Sequence, residues 1–337
     1  MTNTQLTLEE ISTLAKEALI ASGASAGAAS SLAAAVTAAE RDGIRSHGLI
    51  YVPIYCEHLT CGKVNAAAEP AVLSQEGSAI VVDADCGFAH PAIDIGFDEL
   101  RPLAKTLGCA ALTVRNSYNC GVLGYHVERL AEEGLVAIGF TNAPASIAPA
   151  GGQKPVVGTN PVALAVPGVS GQAAFVLDQS ASVVAKSEIM TRAREGRSIP
   201  EGWALDAEGQ PTTDPEQALK GSMAPSGGYK GFGIGLLVEV MAAALGGATL
   251  GIHASPFSGT QGGPPRTGQC FLAFSPDAFS SDTFDDRIQA LTQAIATQGE
   301  ARLPGSRRLA HRQRSESDGV SVDQSLIDRI QSITVKG

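Results

Sequence analysis

The stretch Pro161-Val162-Ala163-Leu164-Ala165-Val166-Pro167-Gly168-Val169-Ser170-Gly171-Gln172-Ala173-Ala174-Phe175-Val176-Leu177 decides the fold class. It holds two apolar runs, 161–166 and 173–177, separated only by residues 167–172. A crossover between parallel strands needs about a dozen residues or more, so this spacing predicts an antiparallel pair. Upstream, strands are predicted at 79–82, 110–115 and 135–140, with helices over 92–107 and 122–133 between them. The expected class is α/β with an α+β-like, mixed, largely antiparallel central sheet.

Away from that centre the pattern becomes helical. Thr7 followed by Glu10 reads as a capping box, and Ile11, Leu14, Ala15, Ala18 and Leu19 recur at helical spacing before Gly23. A second helix is predicted over 25–41, stopped by Asp42-Gly43, and a third over 44–63. Residues 188–222 are polar and turn-rich, with Pro200-Glu201-Gly202 and Gly209-Gln210-Pro211, and predict an irregular excursion. A long apolar helix over 231–245, a strand over 270–274 and amphipathic helices over 285–298 and 323–333 follow. The expected organisation is a helical domain of residues 1–75 with 300–337, a central sheet domain of 76–185 with 225–299, and the excursion at 186–224.

The chain has 337 residues, enough for about two domains. Lys and Arg total 24 and Asp and Glu total 34, a net charge of −10. Nucleic acid and anionic membrane surfaces repel such a chain, so neither is an expected partner. The most apolar run, 231–247, is interrupted by Glu239 and is too short to span a bilayer. Six cysteines without a C-x-x-C pair read as reduced thiols, and no basic-then-apolar leader opens the chain. Both features predict a cytoplasmic protein.

Familiar nucleotide and hydrolase signatures are missing from the sequence. Gly121-x-x-Gly124 and Gly231-x-Gly233-x-Gly235 lack the spacing of a G-x-G-x-x-G turn, and no P-loop or G-x-S-x-G is present. There is no H-E-x-x-H and the six His are scattered, so no metal site is expected. Several local constellations each carry two readings. Ser46-His47-Gly48, just after Arg41, Asp42 and Arg45, is an acid–base imidazole or a His satisfied in a helix contact. Asp178, ending an apolar strand, forms an Asx turn or orients an imidazole. Gly158-Thr159-Asn160-Pro161 holds an anion or is a plain turn, and Gly227-Gly228-Tyr229-Lys230-Gly231 faces an anion at a helix start or is a flexible lead-in. Pro304-Gly305-Ser306-Arg307-Arg308, with Arg312 and Arg314, is a solvated basic face or a dinucleotide phosphate contact. Cys120 is a buried thiol or a nucleophile in a Gly-rich stretch.

Taken in order, these segments resemble the malate/L-lactate dehydrogenase family of the second type, which binds NAD(P) on a non-Rossmann sheet. The resemblance rests on Arg41-Asp42-Gly43-x-x-Ser46-His47-Gly48, Asn116-Ser117 with Gly121, Pro149-x-Gly151-Gly152, Gly158-Thr159-Asn160-Pro161 and Asp178-x-x-x-Ser182. It continues through Ile199-Pro200-Glu201-Gly202, Gly209-x-Pro211-Thr212-Thr213-Asp214-Pro215, Gly228-x-Lys230-Gly231, Thr267-Gly268-Gln269 and Pro304-Gly305. It implies hydride transfer between nicotinamide C4 and C2 of a small 2-oxo or 2-hydroxy acid of malate, lactate or sulfolactate type. The alternative it implies is NADPH-dependent reduction of cyclic imino acids such as Δ1-piperideine-2-carboxylate and Δ1-pyrroline-2-carboxylate.

By the same resemblance His47 is the acid–base residue, relayed by Ser46 and Asp178, and Thr159 contacts the substrate carboxylate with Tyr51 and Arg45 nearby. The cofactor, NADP or NAD with NADP favoured, is expected along Asn119, Cys120, Gly121, Val122, Leu123, Leu177, Gln179, Tyr229, Lys230, Pro304, Gly305, Ser306 and Arg307. An interlocked homodimer is implied as well. Two departures stand out. Many relatives have His-Phe or His-Tyr where this chain has Asn119-Cys120, and Arg where it has Tyr51. Arg45, Lys186 and Lys230 are the nearest candidates to restore that charge.

Overall fold

The computed structural model describes residues 2–335. Its elements run in the order β1 (Asn3–Leu6), α1 (Leu8–Ala21), α2 (Ala26–Arg41), α3 (Val52–Thr60), β2 (Ala71–Glu76), β3 (Ala79–Asp83), α4 (Ala89–Leu107) and β4 (Cys109–Ser117). Then come α5 (Leu123–Ala131), β5 (Val136–Thr141), β6 (Val162–Pro167), β7 (Ala173–Gln179), α6 (Lys186–Arg194), β8 (Ala204–Leu205), β9 (Pro211–Thr212), α7 (Pro215–Lys220) and β10 (Ser222–Met223). The chain ends with α8 (Tyr229–Val238), β11 (Thr267–Phe274), α9 (Phe284–Ala296), α10 (Ser306–Asp318), β12 (Val320–Asp323) and α11 (Gln324–Thr334).

The pair read from residues 161–177 is an antiparallel hairpin, with Leu164 opposite Leu177. It forms one edge of a seven-stranded sheet of order β2-β3-β4-β11-β5-β6-β7. Only β3 and β4 pair in parallel, because α4 lies between them and supplies the crossover. The late strand β11 enters the middle, antiparallel to both β4 and β5. Helices α4 and α5 cover one face, where Phe97, Leu100, Leu112, Val127, Leu130 and Phe271 form a closed core. Contact there is close: a Cβ on Gly96 would meet Leu112 Cδ2 at 2.5 Å. Phe140, Val238, Ala242 and Cys270 form a smaller cluster at the other face.

The two chain ends build a separate helical core, with Ile11, Leu19, Leu32, Tyr55, Val320 and Ile330 buried together. Strands β1 and β12 zip the ends antiparallel, Asn3 opposite Asp323. The capping box is present, with the Thr7 N–H donating to Glu10 Oε2 at 2.7 Å. Residues 44–63 are not one helix. Two single 3₁₀ turns, Arg45–His47 and Leu49–Tyr51, precede α3. The buried Glu40 side chain pulls this segment back onto α2 by accepting the Leu49 N–H at 2.7 Å.

The excursion is more regular than its composition predicts. It carries α6 and α7 and a three-stranded sheet of order β10-β8-β9, and buries Ile189, Ile199, Ala204, Ala218 and Met223. Strands of two residues are too short to show a period. The helix expected over 231–245 ends as α8 at Val238 and continues as a π turn, Glu239–Ala244. Glu239 in that turn is buried and accepts from Gly251 N–H and Asn160 Nδ2 at 2.6 and 2.7 Å. Among the described residues, no helix is long and apolar enough to cross a membrane.

Candidate active site

The C-terminal end of β7 carries Asp178 into the gap between two helix starts. Its Oδ2 accepts the Gly124 N–H, in the first turn of α5, at 2.7 Å. From the other side the Arg308 guanidinium, in the first turn of α10, stands 3.9 Å away. A Cβ on Gly124 would sit 2.9 Å from that carboxylate and 2.7 Å from Arg308, so only glycine lets the three groups meet. Burial pushes the Asp178 carboxyl up, while the Gly124 bond, Arg308 and His47 pull it down.

His47 closes the first 3₁₀ turn, half-buried, with Ser46 Oγ 2.9 Å from its Nδ1. Its ring is parallel to Tyr51, which in turn packs on Tyr55 at 4.7 Å between centroids. Burial holds the imidazole below its ordinary value, and the Asp178 charge opposes that shift. The two residues therefore act on each other electrostatically although 131 positions part them in sequence (178 − 47).

Beside Asp178 opens a groove of about 610 Å³. Leu177, Gln179, Pro304, Gly305, Ser306 and Arg307 all line it, joined by Glu300, Arg302 and Arg308. Gly305 has φ +84°, and a Cβ there would press within 3.0 Å of the Val176 carbonyl oxygen. Left-handed backbone and close approach both require glycine at this corner. Arg302 and Arg307 are exposed and form no ion pair among the described residues. A wall of cations and a helix start suits an anionic ligand.

Other predicted site residues are dispersed. Asn119 Oδ1 accepts the Gly121 N–H at 3.2 Å and shapes the loop into α5. The side chains of Cys120, Val122 and Leu123 are buried, leaving backbone to face a ligand. Burial pushes the Cys120 thiol up to about 12, which excludes a resting thiolate nucleophile. Tyr229 and Lys230 lie exposed at the start of α8, outside the groove. Arg45 is exposed and donates to the Ser321 carbonyl at 3.4 Å. Thr159 is half-buried, and its carbonyl accepts the Ala181 N–H at 2.7 Å. Lys186 is exposed at the start of α6.

The basic island divides in two. Arg307 faces the groove, but Arg312 is bound to Asp42 at 2.8 and 3.0 Å and to Glu128 at 2.9 and 3.0 Å. Arg314 donates to Ala310 within its own helix. From sequence Arg308 reads only as part of the basic island and Gly124 only as a glycine outside any dinucleotide fingerprint, and neither is expected to hold Asp178. The signal for Arg308 was its position one helical turn before Arg312, legible only once α10 is known to be a helix. Among the described residues no three His, Cys, Asp or Glu side chains converge as a metal site would require.

The sequence profile of the malate/L-lactate dehydrogenase family matches residues 6–331. The chain belongs to that family. Like its relatives, which are named dehydrogenases and reductases, this family member is an oxidoreductase. It is 44% identical over 330 residues to a (2R)-3-sulfolactate dehydrogenase (NADP(+)) of Chromohalobacter salexigens, covering 98% of each chain. It is 38% identical over 338 residues to a Δ1-pyrroline-2-carboxylate reductase of Agrobacterium fabrum, covering 99% of this chain and 97% of the relative. The crystal structure of Δ1-piperideine-2-carboxylate reductase from Pseudomonas syringae superimposes with a TM-score of 0.93 at 33% identity, over 98% of this chain and 99% of that one. The mixed sheet inferred from the antiparallel pair at residues 161–177 is thus the sheet of the malate/L-lactate dehydrogenase family.

Proposed function

We propose that the protein is an NADP-dependent dehydrogenase of a small 2-hydroxy acid of the 3-sulfolactate type, working in either direction. The observation that carries this choice is the 44% identity to the sulfolactate enzyme across 98% of both chains, against 38% for the pyrroline-2-carboxylate reductase. The groove beside Asp178 fits a dinucleotide: its cations match phosphates, and Gly305 lets the turn into α10 lie directly against Val176, which brings the helix start to the groove. Arg302 and Arg307, with Pro304 and Ser306, would hold it there, and the exposed guanidinium of Arg307 supports a preference for the extra phosphate of NADP. When bound, the dinucleotide supplies or takes the hydride at C2.

His47 handles the proton. With Nδ1 engaged by Ser46 Oγ at 2.9 Å, Nε2 is the nitrogen left to exchange a proton with the substrate oxygen. Below its folded pKa the imidazolium is the acid for reduction. Above it the neutral ring is the base for oxidation. Asp178 stabilises the imidazolium by its charge, and Gly124 and Arg308 hold that carboxylate in place. Thr159, with Tyr51 beside the imidazole, is assigned to the substrate end. Arg45, as it stands, serves the chain-end contact with Ser321 and would have to turn to reach a substrate.

In this reading the enzyme is a cytoplasmic homodimer, with residues 76–185 and 225–299 carrying the cofactor sheet and 1–75 with 300–337 carrying His47 and the groove wall. The exposed Ile234, Leu236, Leu237 and Val240 along α8 and its π turn support a partner subunit there, and six free cysteines support a reducing compartment. Reduction of a cyclic imino acid is the second reading, favoured by the TM-score of 0.93 to the piperideine-2-carboxylate reductase. Initial rates with 3-sulfopyruvate, oxaloacetate, pyruvate and Δ1-pyrroline-2-carboxylate separate the two. Sulfopyruvate with NADPH is expected to exceed the imine about tenfold or more in kcat/KM, and the reverse order would transfer the enzyme to the second reading.

A further inference from the structure

Helix α10 forms one wall of the groove, yet none of its side chains is buried. Its only large apolar residue, Leu309, is 44% exposed. An amphipathic face is not what seats this helix. What joins it to the body is a ladder of charges. The upper rung is Arg308 to Asp178, with Gly124 N–H on the same carboxylate. The lower rung lies one turn along both helices, where Arg312 meets Glu128 of α5. Arg312 also forks onto Asp42, with Nε on Oδ1 at 3.0 Å and Nη2 on Oδ2 at 2.8 Å. Asp42 lies five residues before His47 (47 − 42) in the same loop, and its Oδ1 also accepts from Arg41 Nε at 2.8 Å. The Asp42 and Glu128 side chains are only 6% and 9% exposed, so the lower rung is shielded from solvent. Gly43, next in the chain, lies against α10 so closely that a Cβ would meet His311 at 2.8 Å.

We infer that Arg312 is a positioning residue: by binding Asp42 and Glu128 together it seats α10, and so sets the groove wall at Pro304–Arg308 against both Asp178 and the His47 loop. A guanidinium suits this place because its planar fork serves two carboxylates at once, which an ammonium cannot do with fixed geometry. Removing it leaves the shielded Glu128 without an ion-pair partner among the described residues and Asp42 with Arg41 alone, which loosens α10 from the body. The inference rests on the reading of the groove as a dinucleotide site, but its first test does not.

Hydrogen exchange of residues 306–318 in the free protein is measured for wild type and Arg312→Gln. Faster exchange confined to α10, with β4 and β11 unchanged, is expected. Unchanged α10 exchange overturns the inference. NADPH binding, followed by nicotinamide fluorescence without substrate, is then compared for Arg312→Gln, Arg308→Gln and the double variant. Arg312→Gln is expected to weaken binding about tenfold, and adding Arg308→Gln to cost less than about twofold more, because the wall it serves is already displaced. Fully additive losses show that Arg312 does not act through that wall, and overturn the inference. If Arg312→Gln does not fold, Glu128→Gln removes half of the lower rung with a similar shape and is expected to weaken binding about threefold, with no change counting against it. Arg312→Lys, keeping charge but losing the fork, is expected to restore binding only in part. Wild-type protein that does not bind NADPH overturns the functional reading, while the exchange result still decides whether Arg312 holds the helix.

Discussion

Helices α5 and α10 start at the same carboxylate and are held there by opposite means. α5 buries Leu123, Val127, Leu130 and Ala131 against the sheet, and its Gly124 N–H reaches Asp178. α10 buries none of its side chains and is docked through Arg308 and Arg312. Apolar packing is close-fitting and resists displacement, since a shift of even a methylene leaves a void. Ion pairs have a longer reach and soften as geometry degrades. The β7 side of the groove, where Gly124 holds Asp178, is therefore backed by a rigid frame, and the α10 side is a wall seated by charge. A cofactor that must enter and leave is well served by that division.

The sharpest way to test this division is to remove chemistry from frame and wall alike. His47→Ala is expected to lower kcat about 10²–10⁴-fold while NADPH binding and melting temperature stay near wild type, as for a lost proton donor. Wild-type turnover in steady-state assays would detach the imidazole from the reaction. Next comes the frame itself. Leu130 is fully buried, so Leu130→Ala is expected to destabilise by about 2–5 kcal/mol in urea unfolding. Leu309→Ala on α10 should change stability by less than about 0.5 kcal/mol, because its side chain is already 44% exposed. Equal losses at the two positions would erase the distinction between the helices.

The smallest expected effect is a shift in pH dependence. Burial holds His47 below the ordinary 6.5, so kcat/KM for reduction should fall as pH rises through a value below 6.5, where the acid form is lost. Oxidation should rise through the same value as the base form appears. Asp178 raises the His47 pKa, so Asp178→Asn, which still accepts from Gly124, should move both limbs to lower pH. A shift upward in the pH–rate profiles would show that the carboxylate does not act on His47 by charge.

The legible parts of the chain were those governed by short-range rules. The hairpin at β6–β7, the crossover at β3–α4–β4 and the Thr7 cap follow from spacing and local hydrogen-bonding. The groove residues Leu177, Gln179 and Pro304–Arg307 were legible through motif order and do line one cavity. The short strands β8, β9 and β10 were not, since two residues have no period. The 44–63 segment was misread because Glu40, on another helix, takes the Leu49 N–H that an unbroken helix would have used differently. Arg312 was open between solvent and phosphate because its partners, Asp42 and Glu128, lie 270 and 184 residues away.

By itself the sequence determined the fold class, the family and the set of polar residues available for chemistry, because periodicity, turn residues and motif order are all properties of neighbouring positions. Only the tertiary structure decided which of those residues meet. It brought Asp178 to Gly124, Arg308 and the field of His47, placed β11 between strands that precede it, and spent Arg312 on two carboxylates. The reason is physical: charge and hydrogen-bond partners are chosen by distance in space, and no local pattern encodes which distant carboxylate a guanidinium will find.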